Sequence, residues 1–234
     1  MIQTRGLGFG YPGGATLLFP DVDVAQGTVL LLSGPSGCGK STWLALVAAL
    51  MPPTAGTLTV AGQPLNALKS IAADAWRARA IGLLPQKLHL SNALSVQQNL
   101  ALAQWAAGQT QDDAAIAAAL QALGVQALAQ RKPGQLSGGQ AQRVALARAV
   151  LLQPHVILAD EPTASLDDEA AADAVQLLLR TARRHGATLV IASHDARVAH
   201  LLAADVDGQI GLQSLSLLRR VLSKQEQMAA AVVP

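Results

Sequence analysis

Gly34-Pro35-Ser36-Gly37-Cys38-Gly39-Lys40-Ser41-Thr42 fits the pattern G-x-x-x-x-G-K-[ST] and comes directly after an apolar run, residues 29–32. The glycines permit backbone angles that a Cβ would forbid, so N–H groups of the loop can turn inward and bind phosphate oxygens. Lys40 supplies a positive charge for the β- and γ-phosphates, and Ser41 supplies a hydroxyl for Mg²⁺. Residues 43–51 place apolar side chains on one helical face, so a helix N-terminus would point at the anion. Strand, loop and helix in this order predict a nucleotide-binding loop.

Composition sets the class of protein. The chain has 234 residues and 51% apolar content, enough for a sizeable core, and a single Cys, which indicates a reducing compartment. No uninterrupted apolar run approaches the ~18 residues that cross a bilayer, so we expect a soluble protein. A net charge of +2 without basic runs and an aromatic content of 3% argue against nucleic acid as the ligand.

The N-terminal part, up to the phosphate loop, consists of short apolar segments separated by Gly and Pro. They predict strands at residues 4–10, 22–24 and 29–32, with a further antiparallel strand at 57–60. Tyr11, the only tyrosine, precedes a Pro-Gly-Gly turn. Its ring either stacks on a purine or packs on a sheet edge, and the residues alone leave both open.

Residues 87–152 form a stretch rich in Ala, Leu and Gln in which strand signals vanish. A capping box, Ser95-x-x-Gln98, begins one helix, and Asp112 or Asp113 begins another. We interpret this stretch as a helical insertion in an α/β domain. Apolar residues here either dock a partner or form a small core of the insertion: Leu88, Leu90, Leu94 and Trp105.

Polar residues follow three buried strand patterns at their carboxyl ends, where open α/β sheets bind ligands. Gln86 follows residues 81–84, Asp160-Glu161 ends the run 156–159, and His194 follows residues 188–192. Asp160 suits Mg²⁺, Glu161 can polarise an attacking water, and His194 can reach a γ-phosphate. Taken singly, Gln86 is also typical of a solvated turn and His194 of a structural or solvated histidine. Their shared position at the strand ends predicts that these residues join the phosphate loop in one site.

The sequence predicts a second helix N-terminus that can bind an anion. Ser137 and Gln140 form a capping box around Gly138 and Gly139, and a helix is predicted at residues 141–152. A cap alone explains Ser137, but two glycines cost helix stability unless something approaches the backbone closely.

The end of the chain gives weaker patterns. After a long helix to about residue 185 and a helix near 196–204, we expect a β-ribbon over residues 206–215 and a basic helix from about residue 217.

Taken together, these motifs resemble those of the ATP-binding subunit of ABC transporters, over nearly the whole chain. The resemblance identifies residues 34–42 with the Walker A loop, 136–140 with the signature, and 156–161 with the Walker B strand and its catalytic glutamate. It assigns Gln86 to the Q-loop, residues 165–167 to the D-loop, His194 to the switch and Tyr11 to adenine stacking. Residues 134–144 and 158–163 are most similar to the lipoprotein-releasing and macrolide-export type.

The resemblance implies an α/β fold with a P-loop NTPase (RecA-like) core, an N-terminal antiparallel β layer and a helical insertion subdomain. It implies a single domain, with residues 1–86 and 153–234 as the catalytic core and 87–152 as the helical part. Two identical subunits would close head to tail, each ATP lying between one Walker A loop and the other subunit's signature, Ser137 to Gln140. ATP and Mg²⁺ are the implied cofactors, with Ser41, Gln86 and Asp160 at the metal. Integral membrane subunits are the implied partners, at the inner, cytoplasmic face of the cell membrane.

Two other functions have to be weighed against transport. A cassette ATPase of DNA repair or translation leads us to expect a long coiled-coil insertion, metal-binding Cys pairs or a second cassette, and the sequence has none of these. A nucleotide sensor that barely hydrolyses does not need Glu161 and His194. The sequence therefore predicts an ATPase that energises a transporter through dimer closure and reopening.

Overall fold

A computed structural model of the chain describes residues 1–12, 16–164, 166–205 and 211–218. In this part of the chain the strands are β1 (Ile2–Gly10), β2 (Thr16–Leu18), β3 (Val22–Val24), β4 (Val29–Ser33), β5 (Ala55–Val60), β6 (Gln63–Pro64), β7 (Ile81–Leu84), β8 (Val156–Asp160), β9 (Thr188–Ser193) and β10 (Leu212–Ser216). The α-helices of the same residues are α1 (Lys40–Val47), α2 (Ser70–Ala80), α3 (Val96–Ala106), α4 (Asp113–Ala122), α5 (Gly138–Val150), α6 (Asp168–His185) and α7 (Ala196–Asp205). The predicted α/β class is confirmed.

Five strands form a parallel sheet in the order β10, β4, β9, β8, β7. The register pairs Ser33 with Ser193 and Asp160 with Ala192, so the carboxyl ends of β4, β8 and β9 lie together at one edge. Alternate residues of these strands pack into two hydrophobic clusters, one on each face of the sheet. Because both faces are covered, the strands are continuously apolar in sequence. The residues that follow β4, β7, β8 and β9 therefore meet at one edge.

A second sheet is antiparallel and lies over α1. Its long strand β1 pairs with β2, β3 and β5. Trp43 of α1 is fully buried, in one cluster with Leu58 of this sheet and Leu32 of the parallel sheet. Burying the Trp43 side chain among these leucines stabilises the fold by on the order of several kcal/mol. This packing fixes the position of α1 and of the loop before it.

The regular secondary structure of residues 87–152 is entirely helical: it consists of α3, α4, α5 and the 3₁₀ turns Gln126–Leu128 and Pro133–Gln135. Leu88 and Leu90 pack against the cluster that includes the parallel sheet and not against a separate core of the insertion, whereas Trp105 is 74% exposed; docking of a partner by these residues remains a prediction. The division of the chain into a core and a helical subdomain remains a prediction. Among the helices described, none is long and apolar enough to cross a membrane.

Two predicted elements are wrong. Helix α5 begins at Gly138, not at residue 141, because the Ser137 hydroxyl accepts from the Gln140 N–H and draws both glycines into the first turn. The expected β-ribbon is also wrong for the residues described, since β10 is a strand parallel to β4. The rest of that ribbon, at 206–210, and the predicted basic helix beyond residue 218 lie outside the described residues.

Candidate active site

The phosphate loop, residues 34–39, connects β4 to α1. Gly34, Gly37 and Gly39 all have positive φ. At Gly34 a Cβ would lie 2.4 Å from the carbonyl oxygen of Leu217 and 2.8 Å from the sulfur of Cys38, so no larger residue fits. Helix α1 begins at Lys40, immediately after the left-handed Gly39. The free N–H groups of its first turn therefore face the loop, as anion binding requires.

Lys40 is almost fully buried at the base of this loop, at 6% exposure. Its ammonium donates to the carbonyl oxygens of Gly34, at 2.9 Å, and Pro35, at 3.3 Å. It also lies 3.4 Å from Oε1 of Glu161. A buried ammonium requires such partners, and phosphate oxygens supply the same negative charge.

Glu161 stands one residue beyond β8 with φ +48°, a left-handed backbone that is unusual for a residue other than glycine. Its N–H donates to the carbonyl of Ala192, at 2.8 Å, which holds it to the end of β9. Its Oε1 lies 2.8 Å from Nδ1 of His194, and its Oε2 accepts from the Ser193 hydroxyl at 3.3 Å. Backbone strain of this kind is concentrated at functional sites, and here it turns the carboxylate toward Lys40 and His194.

Asp160, the last residue of β8, has one carboxylate oxygen that accepts no hydrogen bond. Burial raises the pKa of its carboxyl, and Glu161 raises it further, while the Ser41 hydroxyl and Lys40 act in the opposite direction. Its Oδ1 is buried and has no hydrogen-bond partner. An orphaned carboxylate oxygen beside a serine hydroxyl fits the outer sphere of Mg²⁺, which keeps several waters and uses one or two protein carboxylates plus phosphate. The described residues contain no group of three His, Cys, Asp or Glu side chains that could hold a metal ion without other ligands.

These elements enclose a cleft of about 480 Å³. The sequence-predicted residues that line it come from four strand ends and the N-terminal sheet: Tyr11, Ser36, Gly37, Gly39, Lys40, Ser41, Thr42, Gln86, Glu161 and His194. Gly34, Pro35 and Cys38 of the phosphate loop do not line it, but the carbonyls of Gly34 and Pro35 accept from Lys40. Asp160 lines an adjoining cavity that also includes Gln86 and Glu161. Tyr11 is 46% exposed, with its hydroxyl 2.8 Å from Oγ1 of Thr42 and its ring edge-on to Phe9. The Tyr11 side chain therefore borders the cleft, and its hydroxyl group is held by Thr42.

The signature residues lie elsewhere. None of Ser137, Gly138, Gly139 and Gln140 lines the cleft around Lys40, and the first three are exposed. Ser137 and Gln140 form the reciprocal capping box expected of them. Gly138 borders a smaller cavity, of about 290 Å³, which reaches Glu161 from the other side. Within one chain the N-terminus of α5 and the phosphate loop therefore line different cavities.

Sequence reasoning did not single out Gln142 or Arg197. The Gln142 amide donates to the carbonyl of Pro162 at 2.8 Å and ties α5 to the loop that follows Glu161. Arg197 lowers the pKa of Asp195 to about 2 through hydrogen bonds to its carboxylate. In the sequence, each is marked only by its position near a motif. Gln142 lies two residues after the signature, and Arg197 lies three residues after His194.

Comparison with known proteins gives consistent relatives. A family model described as ABC transporter matches residues 20–164. The lipoprotein-releasing system ATP-binding protein LolD of Geobacter metallireducens is 38% identical over 90% of this chain and 96% of its own length. The arginine transport ATP-binding protein ArtP of Escherichia coli is 39% identical over 88% of this chain and 86% of its own. Among solved structures, the dimeric bacterial ABC transporter cassette MJ0796 has a TM-score of 0.77 at 28% identity, over 95% of this chain and 98% of that one. The same cassette in a post-hydrolysis state with ADP and Pi has a TM-score of 0.78.

Proposed function

Since the chain belongs to the ABC transporter family, as an ATP-binding and ATP-hydrolysing subunit that energises transport, we propose that Lys40, Glu161 and His194 are its hydrolytic machinery. The observation that carries this assignment is the contact of Glu161 with both Lys40, at 3.4 Å, and His194, at 2.8 Å. In this arrangement the carboxylate of Glu161 neutralises the ammonium that the triphosphate would neutralise in its place. The relatives named above are transporter subunits, which favours transport over a role in repair or translation.

The mechanism follows from an exchange of partners at Lys40. When the triphosphate of ATP enters the loop, the ammonium turns from Glu161 and the carbonyls of Gly34 and Pro35 to the β- and γ-phosphates. Glu161 is then free to accept a proton from a water placed in line with the γ-phosphorus, and the bond to the β,γ-bridging oxygen breaks to give ADP and phosphate. His194, whose side chain is 59% exposed beside Glu161, contacts the γ-phosphate. The adenine lies on the ring of Tyr11.

Asp160, Ser41 and Gln86 would hold Mg²⁺ in this site. The orphaned Oδ1 of Asp160 supports its place there. When bound, Mg²⁺ neutralises charge on the phosphate oxygens. The residues of this chain would supply one carboxylate, one hydroxyl and one amide, beside the phosphates and waters.

A second copy of the chain completes the site. Ser137, Gly138 and Gly139 are exposed at the N-terminus of α5 and do not reach the cleft of their own chain. A helix N-terminus with two glycines suits the γ-phosphate of an ATP held by another subunit. The dimeric state of the related cassette MJ0796 supports a homodimer.

Replacing Lys40 with Ala tests the assignment. We expect ATP to bind about thirtyfold more weakly, since truncating one member of a buried charge pair costs about 2 kcal/mol or more. Mg²⁺-dependent ATPase activity should be lost, and a chelator should abolish it in the wild-type protein. Lys69→Ala is the matched control, because Lys69 precedes α2 and its side chain makes no capping hydrogen bond. Unaltered binding and turnover in Lys40→Ala would show that the site is elsewhere.

The membrane subunits, we infer, dock in a groove between α2, α3 and α5, so that the chain works as a peripheral subunit at the cytoplasmic face. The groove has a volume of about 580 Å³ and is lined by apolar residues that include Leu50 and Leu102, which are 50% and 44% exposed. Arg148 lies in it and donates to the carbonyl oxygens of Leu88 and His89, at 2.7 and 2.9 Å; it pairs with no carboxylate among the described residues. An apolar segment that carries an acidic side chain complements such a surface. The similarity to LolD over 96% of its length favours a transporter of the lipoprotein-releasing type.

Leu102→Asp should reduce the fraction of the protein that sediments with membranes of its own cells about fivefold, equivalent to about 1 kcal/mol, since a carboxylate would be buried in the contact. Thr110→Asp makes a similar change of charge in the exposed loop before α4 and should have no effect. Equal sedimentation of both variants would rule out this groove.

A further inference from the structure

A charged cluster joins the two loops that carry Glu161 and His194. Each loop connects a strand of the parallel sheet to a helix: one leads from β8 to α6, the other from β9 to α7. On the side of the cleft, Glu161 contacts Ser193 and His194. On the side of the helix ends, Arg197 in the first turn of α7 provides further contacts between the loops.

The guanidinium of Arg197 binds both loops at once. Within its own loop it holds the carboxylate of Asp195 with both ends of its fork, Nε at 3.0 Å from each oxygen and Nη2 at 2.7 Å. Across the gap, its Nη1 donates to Asp168 at 2.6 Å, and both Nη atoms lie 3.3 Å from the carbonyl oxygen of Leu166. Bidentate geometry of this kind fixes direction as well as distance.

Asp195 extends the cluster into the core. Its Oδ2 accepts from the hydroxyl of Thr163, at 3.1 Å, and Thr163 is only 1% exposed. Its Oδ1 accepts from the Arg197 N–H, at 2.9 Å, and so caps α7. The N–H of Asp195 donates to the Ser193 hydroxyl, which itself donates to Glu161. An unbroken chain of hydrogen bonds therefore runs from Arg197 through Asp195 and Ser193 to the carboxylate of Glu161.

The contacts between the two loops become more important when ATP binds. Once Lys40 turns to the phosphates, Glu161 loses its closest cation, and its left-handed backbone must be held by the contacts that remain. The segment after Glu161 is held by Gln142 at Pro162, by Asp195 at Thr163, and by Arg197 at Leu166 and Asp168; Arg197 also holds the carboxylate of Asp195. A shift of about 1 Å in a reacting group is enough to slow a reaction severely.

We propose that Arg197 is a positioning residue for ATP hydrolysis: it fixes the loop after β8 to the loop after β9, so that Glu161 stays beside His194 while Lys40 binds the triphosphate. The inference rests on the proposed roles of Lys40, Glu161 and His194. In this proposal Arg197 makes no contact with the nucleotide. Its loss should therefore lower turnover and leave ATP binding unchanged.

The test compares Arg197→Met with Arg197→Lys. Met keeps much of the apolar stem and removes the guanidinium, and we expect kcat to fall about tenfold while KM for ATP stays within about twofold. Lys keeps the charge without the fork, and kcat should recover only in part. Arg5→Met is the matched control, because Arg5 also pairs with a carboxylate, Asp23, but on the antiparallel sheet, and it should keep wild-type kcat.

Several results would overturn the proposal. They are a wild-type kcat in Arg197→Met, a loss of equal size in Arg5→Met, or a rise in KM with kcat unchanged. If Arg197→Met does not fold, Asp168→Ala serves instead: the Asp168 side chain is 91% exposed, so the change removes the side-chain contact of Arg197 across the gap, leaves its contact with the Leu166 carbonyl, and does not disturb the core; kcat should fall by about threefold. Unchanged kcat in that variant counts against the proposal. Loss of activity in Lys40→Ala together with full activity in Arg197→Met would overturn this inference alone and leave the site intact.

Discussion

Replacing Glu161 with Gln should lower kcat for ATP by about a hundredfold or more, the usual size of general-base help, while ATP still binds. The amide has the shape of the carboxylate and can still contact His194 and the Ser193 hydroxyl. It cannot accept a proton from water at neutral pH, and it leaves Lys40 without the carboxylate that lies 3.4 Å from its ammonium. Binding of ATP should therefore be unchanged or tighter, and single-turnover measurements should show that the chemical step is slow.

Glu169→Gln is the control for this change. Glu169 lies exposed in the first turn of α6, eight residues along the same chain, so it reports the loss of one carboxylate without the loss of the site. Wild-type kcat in Glu161→Gln, with the control also unaffected, would move the role of general base to another group, and His194 is the nearest.

Gly138→Asp should abolish the ATP-dependent dimer, although each chain still binds ATP in its own phosphate loop. No atom lies within 4 Å of a Cβ built at Gly138, so the folded chain accommodates the substitution. In the proposed dimer the new carboxylate would face the partner's triphosphate, and both charge repulsion and the added bulk oppose closure. Gly134→Asp is the matched control: it makes the same change at another glycine with open space, outside the first turn of α5, and should leave the dimer intact.

The parts of the fold that sequence predicts are those specified by local patterns. Residues 29–32, 156–159 and 188–192 are apolar without interruption, and such runs indicate central parallel strands. Ser95 and Ser137 begin helices because their capping boxes satisfy N–H groups locally. These patterns place Lys40, Gln86, Glu161 and His194 at strand ends, and parallel strands bring such ends to one edge.

What sequence does not predict depends on contacts between distant segments. The mixture of Leu with the polar residues Gln213, Ser214 and Ser216 is unlike the continuous apolar runs of the central strands, and yet β10 lies at the edge of the parallel sheet because it pairs with β4, about 180 residues earlier. The left-handed backbone of Glu161 is set by its hydrogen bond to Ala192, which has no local signal. The role inferred for Arg197 rests on acceptors in two loops.

The oligomeric state of Glu161→Gln with Mg²⁺ and nucleotide, measured by light scattering, tests the central claim most directly, because the claim requires one ATP to bridge two chains. We predict a dimer with ATP, a monomer with ADP, and a monomer with ATP when Gly138→Asp is added. A chain that stays monomeric with ATP bound, or a dimer that forms equally well with Gly138→Asp, would contradict the shared site and leave Ser137 as a helix cap alone.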